Sequence, residues 1–147
     1  MKLLEVDMIG VDTNILVRYL TQDDEKQANI VNRFIAHQYE HQTGSIFINN
    51  IVICELIWVL ERGYKYSKKE IISVVRIILS TAEFTFEQAE ILWLSLNDYE
   101  KYNTDFSDIL LGKINKISGC DSTISFDSKA LNLKEFDDPI NILEKDK

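Results

Sequence analysis

Apolar residues follow two rhythms along this chain, and their alternation predicts its architecture. The short runs "VDMIGV" (6–11) and "SIFI" (45–48) have the length of buried strands and are too short for helices. Elsewhere apolar positions recur every three or four residues. Ile15, Leu16, Tyr19 and Leu20 mark a helix after Asp12. Ile30, Val31, Phe34 and Ile35 mark another within "DDEKQANIVNRFIAHQYEHQ", whose acidic first turn suits the helix dipole. "NIVICELIWVLERG" reads as a mostly buried helix ending at Gly63. Ser67-Lys68-Lys69-Glu70 is a capping box opening "KKEIISVVRIIL". Thr85 to Gln88 repeats that spacing ahead of "EQAEILWLSLNDYEKY", with "EFTF" as a further short-strand candidate before it. "TDFSDILLGKINKISG" is an amphipathic helix closed by Gly119. "CDSTISF" and "DPINIL" read as late strands, with a short helix at "SKALNL" between them. Strands alternating with helices predict an α/β layered fold with a mainly parallel sheet. Ligands of such sheets bind beyond the C-terminal strand ends, where Asp12 and Asp127 both fall.

Composition narrows the picture. One proline, five glycines and the lack of any Ser/Gly linker or repeat predict a single domain over 1–147. With 46% apolar residues in 147, such a domain buries a core without structural metal or disulfides. Cys54 and Cys120 form no CxxC pair and sit among apolar or small neighbours, as buried reduced thiols of a cytosolic protein do. Glu5 and Asp7 interrupt what a signal peptide would need as its apolar core, and Glu55 and Arg76 break the longest apolar stretches. These features predict a soluble cytoplasmic protein with no membrane partner. The net charge of -8 argues against a non-specific nucleic-acid coat. It does not exclude a nuclease, because bound cations offset carboxylates locally.

Four acids stand apart from those on polar helix faces. Glu55 has apolar neighbours on both sides and is expected to be partly buried, paired either with a basic residue such as Arg18 or Arg76 or with a cation. Asp12 and Asp127 each follow an apolar run and would serve equally as helix caps. Asp105 and Asp108 lie three apart at one helix start and share a face, where acids ordinarily just complement the dipole. If these carboxylates converge, their mutual repulsion calls for a cation. An all-oxygen set without His or Cys selects Mg²⁺ or Mn²⁺ over Zn²⁺. Such ions pair naturally with phosphate, so the chemistry best supported is phosphodiester hydrolysis.

The motifs "VDTNILVRYL", "VICELIWVL", "DFSDILLG" and "CDSTISFDSKAL" resemble, in order and spacing, the four acidic motifs of PIN-domain ribonucleases, particularly VapC-type toxins of toxin–antitoxin pairs. The likeness spans about residues 8 to 133. By position it implies that Asp12, Glu55, Asp108 and Asp127 are the catalytic, metal-holding acids, with Asp105 a secondary ligand. It implies supporting roles for Asn14, beside the first acid, and for Ser125, two before the last. Residues 1–7 precede the usual start, so Met8 stands where the family's domain begins. The resemblance further implies a three-layer α/β/α sandwich, Mg²⁺- or Mn²⁺-dependent RNA cleavage, homodimers, and inhibition by a small antitoxin.

Other features are less specific. Arg62, Lys65, Lys68 and Lys69, with Tyr64 and Tyr66 interleaved, would suit RNA phosphates and unpaired bases, or form a solvated loop. His37 and His41 have helical metal-pair spacing but no third ligand. Trp58 and Trp93 read as core or interface residues. The helices at 23–42 and 67–80 could leave a groove for a partner helix. Two rival functions compete with the nuclease. An aspartate-based phosphatase would need a second Asp where Asn14 stands, and a non-catalytic PIN-like interaction module usually lacks one of the four acids, all of which are present.

Overall fold

The structure, a computed structural model, describes residues 8–145. The expectations placed on residues 1–7, the signal-peptide test and the N-terminal extension, lie outside the described residues. The chain divides between Ala89 and Glu90 into two compact units.

In the first unit, three strands form a wholly parallel sheet in the order β1 (Ile9–Gly10), β2 (Ile46–Ile48), β3 (Phe84–Phe86). Parallel neighbours cannot be joined by a tight turn, so each connection carries helices. The first crossover holds α1 (Thr13–Thr21) and α2 (Glu25–His41), the second α3 (Asn50–Arg62) and α4 (Lys68–Leu79). Four N-caps fix where these helices start: Asp12, Asp24, Asn49 and Ser67 each accept a backbone N–H three residues on. At Ser67 the capping box is complete, with Glu70 accepting from the Ser67 amide. Leu16, Ile46, Ile48, Ile53, Leu56 and Ile71 are wholly buried and form the centre of the core.

Gly63 ends α3 without leaving the right-handed region (φ -82°), so chain reversal does not explain it. A Cβ there would lie 2.9 Å from the Val59 carbonyl, and that close approach does. Thr85 to Gln88 is not a capping box. Thr85 lies in β3 and its hydroxyl donates to the Gly44 carbonyl, while Glu87 and Gln88 accept from the Asn50 amide and side chain. These partners draw the segment into the sheet edge and the start of α3.

The second unit holds α5 (Ala89–Lys101), α6 (Phe106–Ile117), the parallel pair β4 (Thr123–Ile124) and β5 (Phe136–Asp137), and α7 (Pro139–Glu144). The helix expected at "SKALNL" is a single 3-10 turn, Ala130–Asn132. "DPINIL" is α7, not a strand. Asp138 caps the Ile140 amide and Pro139 occupies the first turn, where its missing N–H costs nothing. The strand is instead the pair Phe136–Asp137 just before it. Gly112 lets α6 approach β5, since a Cβ there would meet the Phe136 ring at 2.5 Å. Lys113, largely buried, is clamped between Asp98 (2.7 Å) and Glu135 (3.2 Å).

All strand pairs among the described residues are parallel, as the alternation of segments predicted. No described helix is long and apolar enough to cross a membrane. The cysteines differ from expectation. Cys120, just after Gly119 in the turn that closes α6, is exposed, and Cys54 is half-buried, its thiol pushed up to about 11 by burial and by Glu55.

Candidate active site

In the first unit the chain leaves β1, turns at Asp12 and enters α1. The extended backbone of Asp12 (φ -91°, ψ 176°) lets its Oδ1 accept from the Ile15 amide at 3.2 Å. Cap and candidate ligand are therefore the same residue, and the cap leaves Oδ2 outside that bond. Asn14 is exposed on the first turn.

Glu55 corrects an expectation. It is exposed, because α3 buries the stripe Val52, Ile53, Leu56, Ile57 and Leu60. The opposite stripe, Ile51, Glu55, Trp58 and Arg62, faces out, and Trp58 is 60% exposed rather than core. Glu55 is not paired with Arg18. Its Oε2 accepts from the Thr13 hydroxyl at 3.1 Å. Thr13 is buried, and this contact ties α1 to α3 and links Asp12's neighbour to the second acid. Sequence reading missed Thr13. Its signal was a β-branched hydroxyl placed between a capping Asp and an apolar helix.

Arg18 has other partners. Its Nε donates to Gln27 Oε1 at 2.7 Å, and its Nη1 donates to Asp23 Oδ1 (3.1 Å) and Tyr64 Oη (3.3 Å). Tyr64 in turn donates to Asp23 Oδ2 at 2.8 Å. Asp23, which also accepts from Thr21, is held below the usual carboxylate range by these hydroxyl donors and by Arg18. A cleft of about 360 Å³ runs from Asp12 and Asn14 past Ile15 and Arg18 to Gln27, Ile30 and Val31.

In the second unit, Asp127 Oδ1 accepts from the Lys129 and Ala130 amides at 2.8 and 3.3 Å, and Ser125 Oγ accepts from the Asp127 amide at 2.9 Å. Ser125 thus braces the turn that carries the acid. Asp105 stands at the N-cap of α6 without a side-chain cap bond, and Asp108 lies one turn in. The carboxyl of Asp108 is pushed up, first by burial and then by the negative charges of Asp105 and Asp127. These three acids therefore share one electrostatic neighbourhood within this unit.

Within neither unit do three described His, Cys, Asp or Glu side chains form a ready-made metal cage. The donor chemistry nevertheless fits a hard divalent cation. Every candidate ligand is a carboxylate, and the repulsion raised at Asp108 is of the kind a cation relieves. Of the other features, Arg62, Lys65, Lys68 and Lys69 are all exposed, and Arg62 lies 5.8 Å over the Trp58 ring. Tyr64, expected to stack on bases, has its hydroxyl committed to Asp23. His37 and His41 are exposed and stack on each other, ring centroids 4.1 Å apart.

A family model described as "PIN domain" matches residues 9–136, the family that the four motifs resemble. A VapC ribonuclease from Aquifex aeolicus (strain VF5) is 29% identical over 116 residues, which covers 79% of this chain and 84% of that protein.

Proposed function

The chain belongs to the PIN-domain family, and on that premise we propose that it is a metal-dependent endoribonuclease, the toxin of a VapC-type toxin–antitoxin pair. The observation that carries this reading is that all four motif acids are present, two of them held by their own backbone turns and a third with its carboxyl pushed up by burial and by neighbouring acids. The likeness to a VapC ribonuclease supports the substrate class. A single PIN domain, a cytoplasmic location, a homodimer and a small protein antitoxin belong to the same proposal.

Asp12, Glu55, Asp108 and Asp127 are the residues that would hold Mg²⁺ or Mn²⁺, with Asp105 secondary. A divalent cation supplies Lewis-acid stabilisation of charge building on phosphate oxygens and lowers the pKa of water. The chain's own part is positioning. The Ile15 amide fixes one oxygen of Asp12, and Thr13 fixes one oxygen of Glu55. The Lys129 and Ala130 amides hold Asp127, with Ser125 bracing the turn. Asn14 flanks Asp12 on the exposed first turn and supports it. Arg62, Lys65, Lys68 and Lys69, exposed after α3, would contact RNA phosphates.

The test is cleavage of a mixed RNA pool by the purified protein with Mn²⁺, with Mg²⁺ and with EDTA, beside Asp12→Asn. Metal-dependent cutting that disappears in the variant is expected. Cutting that survives in EDTA or in Asp12→Asn would overturn the assignment.

A further inference from the structure

The cleft that begins at Asp12 is lined by aliphatic side chains and by hydrogen-bonding groups, and the polarity of some of these groups can be read. Arg18 can only donate, so the Gln27 amide atom 2.7 Å from its Nε must be the oxygen. That fixes the amide's orientation and leaves the Gln27 NH₂ as the group free to meet a ligand. Arg18 is itself held by Asp23 and Tyr64, so this orientation is built in before anything binds. The neighbouring amides Gln22 and Asn32 bond reciprocally to each other and offer no such free edge. Gln27 and Arg18 therefore present donors to the cleft, while the Asn14 amide beside Asp12 can donate or accept. The one acid on the wall, Asp12, is committed to the Ile15 amide and, in the proposed function, to the cation.

Ile15, Val31 and the exposed Ile30 also line the cleft. A flat apolar face with one acceptor-rich edge complements this arrangement. The volume, about 360 Å³, falls within the range of small-ligand clefts, roughly 300–1,000 Å³.

We propose that this cleft is a nucleobase subsite for the RNA nucleotide flanking the cut, and that it selects keto bases, guanine and uracil, over adenine and cytosine. The proposal rests on the ribonuclease reading above. Guanine O6 and N7, or uracil O4, accept from the Gln27 NH₂ and the Arg18 guanidinium. Adenine and cytosine place an exocyclic amine at the same point, setting N–H against N–H and leaving both donors unpaired. Ile30 and Ile15 cover the base face. Arg18 acts partly through Gln27, as the residue that positions its amide.

Gln27→Glu tests this with little change of shape. It keeps an oxygen toward Arg18 but replaces the free NH₂ by an acceptor. Fluorescein-labelled oligouridine and oligocytidine, which differ at the position in question by keto against amine, are titrated by anisotropy into full-length Asp12→Asn protein with Mg²⁺. Uridine should bind about tenfold tighter, the discrimination expected of a good base-edge contact. In Asp12→Asn/Gln27→Glu that advantage should vanish or reverse. Equal affinities, an unchanged order in the double variant, or no binding of either oligonucleotide would overturn the subsite. Cleavage of a random RNA pool by the wild-type protein separates the two proposals. Cutting with no preference for guanine or uridine over adenine and cytidine removes the subsite and keeps the nuclease, whereas a uridine preference in the titration without any cutting does the reverse.

Discussion

The acids of the first unit and those of the second are held in opposite ways. Asp12 and Glu55 are exposed and each has a neutral donor, the Ile15 amide and the Thr13 hydroxyl. Asp108 is half-buried beside two other acids, and burial first, then their charges, push its carboxyl up. The first arrangement stabilises carboxylates already charged, while the second keeps a charge where the fold alone gives it no partner. A cap explains Asp12 without any ligand, and two backbone amides explain Asp127 almost as well. Asp108 lies in the first turn of α6, where it complements the helix dipole, but burial and two neighbouring acids oppose its charge. The strongest structural argument for a cation therefore comes from the acid whose own surroundings oppose its charge.

The largest expected effect tests that contrast directly. Asp108→Asn should lower RNA cleavage by roughly a hundredfold or more, the scale on which a lost transition-state contact is felt, with a melting temperature equal to or above the wild type. The sign follows from the raised carboxyl. A carboxyl raised on folding favours the fold below the unfolded value, and that contribution is lost as pH climbs through the folded value. An amide removes the loss. A clearly lower melting temperature would show that Asp108 has a structural partner after all.

Gly112→Ala sharpens the comparison from the packing side. Its new methyl would strike the Phe136 ring, so a loss of about 1–3 kcal/mol is expected from urea unfolding, as for other overpacked sites. A smaller step comes from alanine at the caps. Asp12→Ala and Asp127→Ala should each cost about 1 kcal/mol of stability on top of activity, whereas Asp108→Ala should cost activity alone. Equal stability losses at all three would erase the distinction.

The smallest effect lies at the capping box of α4. The Ser67 backbone and side chain hold the Glu70 carboxyl below its ordinary value. Its contribution is therefore present above the unfolded value, about 4.5, and lost as pH falls through the lower folded value. Glu70→Gln should be less stable than wild type at neutral pH, with the gap closing in urea titrations below pH 4.

Much of this was legible in the sequence, for reasons specific to each stretch. Parallel strands read as short unbroken apolar runs, and α3 and α4 announced themselves by periodicity and by Ser67 and Glu70. The errors have two causes, partners far away in sequence and, at one stretch, a local cap that was passed over. Thr85 to Gln88 has capping-box spacing, but Gly44 and Asn50 claim its side chains. "DPINIL" has strand-like composition, yet Asp138 and Pro139 start a helix there. At Glu55 the apolar neighbours were real, but which side of α3 met the core depended on where Ile53, Leu56 and Leu60 packed. Asp12, Asp108 and Asp127 stood out because each sits at or near a helix start, and Glu55 because it interrupts an apolar helix. Thr13 and the Arg18–Gln27 pair did not, because their meaning lies in contacts spanning 42 and 9 residues.

The division between Ala89 and Glu90 also has a consequence in time. A ribosome delivers Asp12 and Glu55 well before Asp108 and Asp127. Under the proposed reading, every nascent chain shorter than 127 residues lacks at least one of the four acids. A cell translating a toxin against its own RNA is thereby spared until synthesis is nearly over. On the same reading, premature termination anywhere upstream of Asp127 yields a fragment without the full set of acids.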